Sequence, residues 1–91
     1  MTHSESGKLY EEAIRIALDS NPQRAMDLYS KYQETYKQCL EDAQTEYKVA
    51  DYMTRIGKAS SAIRIFERLV KSDSTPVDIK KNCITKINEL N

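Results

Sequence analysis

Apolar residues recur along this chain at steps of three and four, the spacing that lines one side of an α-helix. Leu9, Ala13, Ile16 and Ala17 make the first such series. Asp19-Ser20-Asn21-Pro22 interrupts it. Asn21 can accept from an early backbone N–H of the next helix, and Pro22 suits the first helical position, where a missing N–H costs nothing. Ala25, Tyr29, Tyr32, Tyr36, Cys39 and Ala43 continue the pattern. Gly57-Lys58 predicts a left-handed helix end. Ala62, Ile65, Phe66 and Leu69 then face one way and Arg64, Arg68 and Lys71 the other, with Glu67 placed to support Lys71 at i,i+4. Ser72 to Pro76 ends that helix. Thr75 is the expected cap of the last helix, Pro76 its opening residue, and Asp78 complements its positive end. Val77, Ile79, Ile84, Ile87 and Leu90 supply the apolar side of this segment. Nothing alternates with the period of two that a strand requires.

Between Gln23 and Ile56 there is neither Gly nor Pro, and the spacing runs on through Ala43, Tyr47, Ala50 and Thr54. One helix of ~50 Å is compatible with that seam, at ~1.5 Å per residue. So are two helices joined around Glu41–Thr45, with Thr45 as a weak cap. An internal repeat favours the break. An offset of 37 residues aligns Tyr10 with Tyr47, Ala13 with Ala50, Ile16 with Met53, Ala25 with Ala62 and Tyr29 with Phe66. Offsets of this size mark stacked helical hairpins, with small residues where helices approach closely and a ring filling the space beside them.

Ala13…Ala25…Tyr29 and Ala50…Gly57…Ala62…Phe66 resemble the tetratricopeptide repeat over residues 8–71. The resemblance implies an all-α fold of four or five helices: two imperfect hairpins of that type plus a C-terminal capping helix. It departs from the family at Tyr32 and Leu69, which stand where a second small residue is usual, and in the proline displaced to Pro76. It also implies a concave groove lined by first-helix residues, here Tyr10, Ile14, Ala17 and Leu18, then Tyr47, Asp51, Thr54 and Arg55. Tyr10 and Tyr47 would pack a ligand's apolar side and Arg55 would anchor an acidic group. The Lys/Asn clamp for a terminal carboxylate is missing. Residues 61–90, from Ala62-Ile63 to Asp73-Ser74-Thr75-Pro76-Val77-Asp78-Ile79-Lys80-Lys81, resemble a small uncharacterised archaeal family of helical proteins, which carries no activity over.

Ninety-one residues make one domain, with residues 1–7 expected as a frayed tail holding the single histidine, His3, and residues 8–91 as the bundle. The composition is that of a soluble chain with neither a membrane span nor a signal segment, and two cysteines fit a reducing, cytoplasmic setting. Cys39 and Cys83 lack a histidine base and read as buried helix-face thiols. Glu11-Glu12 and Glu41-Asp42 are adjacent pairs that diverge around a helix, and no Gly-rich phosphate loop exists. Neither a cofactor nor a metal is expected. Tyr29, Tyr32 and Tyr36 read as a core stripe rather than a base-stacking platform.

Net charge is zero but unevenly shared: residues 1–45 hold five Lys/Arg and eight Asp/Glu, residues 46–91 nine and six. The expectation is a non-catalytic protein–protein interaction module, with a protein or peptide partner or a second copy in a homodimer. The alternative is a small nucleic-acid-associated factor using Arg64, Arg68, Lys71, Lys80 and Lys81.

Overall fold

Each interruption in the apolar pattern corresponds to a turn, and the computed structural model, which describes residues 3–91 with side chains from Glu5 onward, contains five α-helices. They are α1 (Lys8–Ser20), α2 (Pro22–Tyr36), α3 (Ala43–Arg55), α4 (Ala59–Lys71) and α5 (Val77–Leu90). No strand occurs among the described residues. The chain is all-α. α1 pairs with α2, α3 with α4, and α5 lies along α4 while touching α3; α1 and α2 both reach α3.

Ala25, Ala50 and Ala62 are fully buried at the close approaches between these helices, and Tyr32, Val49 and Phe66 fill the space around them. Burial of each larger side chain contributes ~1.5–3 kcal/mol. Tyr29 and Tyr32 are buried and Tyr36 half-buried, so the tyrosine stripe belongs to the core. Tyr32 and Tyr36 meet with ring centroids 4.8 Å apart, and Tyr10 approaches them edge-on at 6.1 and 6.2 Å.

The expected helix faces need two corrections. On α1 the buried residues are Ile14 and Ala17, while Leu9 and Ile16 face outward. Spacing alone leaves two overlapping stripes on that helix, and contact with α2 and α3 selects the one containing Ile14. On α5, Ile79 and Cys83 are buried, whereas Val77 and Ile84 are exposed.

The turns explain how the chain reverses. Asn21 caps α2 as expected, accepting from the Arg24 N–H at 3.4 Å, and Pro22 follows as the first helical residue. Gly57 ends α3 at φ 81°, with the Lys58 N–H donating to the Met53 carbonyl at 2.8 Å and the Gly57 N–H reaching the Thr54 carbonyl at 3.5 Å. These two hydrogen bonds satisfy carbonyls that the helix end would otherwise orphan.

Residues 22–56 form two helices, but the break falls at 37–42 rather than 41–45, and Asp42 is the cap in place of Thr45. Its carboxylate accepts from the Gln44 N–H at 3.3 Å and the Thr45 hydroxyl at 2.6 Å. Cys39 therefore sits in a turn, not on a helix face. At the last helix Pro76 occupies the cap position and Thr75 is buried just before it, without capping.

His3–Gly7, expected as tail, form a single π-helical turn leading into α1, and Ser6 accepts a hydrogen bond from the Tyr36 hydroxyl. Met1 and Thr2 lie outside the described residues, as does the side chain of His3.

Candidate functional site

α4 sets the site. Its apolar side is pinned in the core by Ala62, Ile65, Phe66 and Leu69, so Arg64, Arg68 and Lys71, spaced at i, i+4 and i+7, must line the opposite side together. There they wall a cleft of about 460 Å³ between α4 and α2. Tyr29 and Gln33 contribute from α2, Met53 from α3, and Ile65 and Glu67 complete the α4 side. The surface exposed inside is mainly carbon.

The three cations are not equivalent. The Arg68 guanidinium bonds the Glu46 carboxylate and the Tyr29 hydroxyl, each at 3.3 Å. Arg64 and Lys71 are exposed and make no ion pair among the described residues; Glu67 does not close the expected pair with Lys71.

Glu46 is the polar residue that sequence reasoning missed. It is completely buried in the first turn of α3. Its Oε1 accepts from the Tyr29 hydroxyl at 2.6 Å and from Arg68, and its Oε2 from the Leu40 N–H at 3.2 Å. One carboxylate thus ties together α2, the 37–42 turn, α3 and α4. Desolvation holds its pKa above the usual carboxylate range, against the lowering pull of Tyr29, Leu40 and Arg68. Burial, reinforced by the Glu46 charge, likewise pushes the Tyr29 phenol far up. A signal was present: Glu46 occupies the apolar stripe, three residues after Ala43 and four before Ala50.

The residues assigned to the first-helix groove separate. Ile14 and Ala17 are buried and cannot line it. Tyr10 is committed to Tyr32 and Tyr36, and Tyr47 to Phe66 at 5.5 Å. A smaller cavity of about 330 Å³ does bring Leu18, Asp51 and Arg55 together with Asp19 and Lys48. Asp51 already bridges Arg55 and Lys86, each at 3.1 Å, and that bond raises the Lys86 pKa. Lys80 and Lys81 stand on α5, outside the α2–α4 cleft.

The carboxylate pairs do structural work. Glu11 accepts from the backbone N–H groups of Glu41 and Asp42, the latter at 3.3 Å, and so holds the turn against α1. Burial pushes the Cys83 thiol up to about 11 and raises Cys39 as well, so both stay protonated at neutral pH. Among the described residues no cluster of His, Cys, Asp or Glu is arranged to hold a metal ion, and no helix is long and apolar enough to cross a membrane.

No family model matches the chain, and neither the curated proteins nor the solved structures provide a match.

Proposed function

We propose that this chain is a non-catalytic docking module of helical-repeat type, and that the α2–α4 cleft receives an acidic, amphipathic segment of a protein partner. The observation that carries the reading is the pairing of a carbon-lined cleft with two cations, Arg64 and Lys71, that have no ion-pair partner among the described residues. Such a surface favours apolar side chains flanked by carboxylates. Two antiparallel pairs with buried Ala25, Ala50 and Ala62 support the tetratricopeptide-like description, although the α2–α4 cleft lies between second helices rather than first ones. Free thiols at Cys39 and Cys83 are in keeping with a reducing cytoplasm.

The test is a titration of the 15N-labelled protein with a Leu-rich helical peptide bearing glutamates seven residues apart. Expected are amide shifts concentrated on residues 29–33 and 61–71, with affinity falling about tenfold or more in Arg64→Glu/Lys71→Glu. Binding that survives this double reversal would remove the reading.

Nucleic acid is the weaker alternative. The five basic residues proposed for it divide between the α4 cleft and α5, and Arg68 is engaged by Glu46. RNA binding lost in both Arg64→Glu/Lys71→Glu and Lys80→Glu/Lys81→Glu would restore it.

A further inference from the structure

α1 and α5, which do not touch each other, each expose an apolar pair on the outer side of the helix. On α1 these are Leu9 and Ile16, 60% and 59% exposed; on α5 they are Val77 and Ile84, at 68% and 46%. Within each pair the residues are seven apart, two helical turns, so each pair forms one short stripe along the outer side of its helix.

The charges beside the stripes are opposite. Taking 3.6 residues per turn, Glu12 and Asp19 lie ~50° and ~70° from the centre of the α1 stripe, while Lys8 and Arg15 lie ~90° and ~110° from it. Lys80 and Lys81 flank the α5 stripe at ~50° on either side, and Asp78 and Glu89 lie ~100° or more from it. Glu12, Asp19 and Lys81 are exposed and Lys80 is half-buried. The same polarity runs through the whole chain, acidic in its first half and basic in its second.

We infer that copies of this chain associate head to tail, with the outer face of α1 on one copy laid against the outer face of α5 on the next. Pairing α1 with α1 would set Glu12 and Asp19 against their own kind, and pairing α5 with α5 would oppose lysines. Only the mixed pairing joins both apolar stripes with unlike charges. Such a contact is heterologous: each copy keeps one free face, so assembly continues until a ring closes or the chain ends. Two helices of ~20 Å define a small patch, below the ~1,200 Å² of standard interfaces, so association is weak and concentration-dependent. The assignment gives Lys80 and Lys81 a role that the α2–α4 cleft does not, and it stands independently of that cleft.

Sedimentation of the wild-type chain from micromolar to millimolar concentration at low salt is expected to show mass growing past two copies. Leu9→Glu/Ile16→Glu and Val77→Glu/Ile84→Glu, all at exposed positions, are each expected to sediment as monomers with unchanged helical circular dichroism. Mixed together they should form a complex of two copies and stop there, because the one remaining α5 face meets the one remaining α1 face. Should either pair of glutamates disturb folding, Glu12→Lys/Asp19→Lys and Lys80→Glu/Lys81→Glu test the same contact by charge: each alone is expected to stay monomeric, and their mixture, in which both contacts again join unlike charges, to grow past two copies. A wild-type chain that stays monomeric at millimolar concentration overturns the inference. So does one single-face variant that still self-associates, or a mixture that does not assemble. Arg64→Glu/Lys71→Glu is expected to leave assembly unaltered, which separates this result from the fate of the cleft.

Discussion

The turns that follow α2 and α3 solve one geometric problem by different means. Both place a residue in the left-handed region, Lys37 at φ 53° and Gly57 at φ 81°. After α3 the solution is local: a glycine without a Cβ penalty and two backbone bonds back onto the helix end. After α2 a lysine takes the strained conformation, its N–H donating to the Gln33 carbonyl at 2.9 Å, and the rest of the turn is held by side chains of α2, α1 and α3. Gln33 donates to the Gln38 carbonyl at 2.8 Å, Tyr32 to the Cys39 carbonyl at 3.3 Å, and Leu40 to the buried Glu46. Glu11 receives Glu41 and Asp42. A turn lacking the appropriate residue can still be specified, provided that side chains of its own helix and of neighbouring helices satisfy its backbone.

Removing the external support should have the largest effect. Glu46→Ala leaves the Leu40 N–H and the Tyr29 hydroxyl buried without their acceptor and Arg68 without its counter-charge. A loss of ~3–5 kcal/mol is expected in urea unfolding. A smaller loss would show that the turn holds by other means.

The pH dependence follows from the raised Glu46 pKa. Because the folded carboxyl keeps its proton to a higher pH than the unfolded one, this group's contribution declines as pH rises from the ordinary carboxylate value through the folded value. Set against Glu46→Gln, which does not titrate, wild type should therefore gain relative stability on acidification. The reverse trend in paired denaturation curves would mean that Arg68 and the hydrogen bonds overcome desolvation.

Gly57→Ala tests the local turn. A Cβ there meets no atom within 4 Å, so the cost is conformational alone, ~1 kcal/mol, visible as a lower midpoint. Lys37→Gly should move the other way and least, a gain of ~0.5 kcal/mol in the same assay, since the left-handed strain is relieved at the expense of a floppier unfolded chain. If the lysine variant loses stability, its side chain matters more than its backbone angle.

These contrasts mirror what could be read from the residues. Asn21, Pro22 and Gly57 act within a few residues of themselves, and their turns were legible. A count of four or five helices and the closeness marked by Ala25, Ala50 and Ala62 were legible for the same reason: helical periodicity is a local property. The grouping of Arg64, Arg68 and Lys71 on one side of α4 followed too. The Ile14 stripe on α1, the break after Lys37 and the burial of Glu46 did not. Each depends on partners distant in sequence: Tyr29 and Arg68 stand 17 and 22 residues from Glu46, and Glu11 stands 30 from Glu41.

Sequence alone determined an all-α chain of paired helices, because spacing, capping and small residues act over one or two turns. Only the tertiary arrangement decided which overlapping stripe on α1 went inward, which charges remained available and where a cleft opened. Burial, desolvation and ion pairing are settled by what another helix brings alongside.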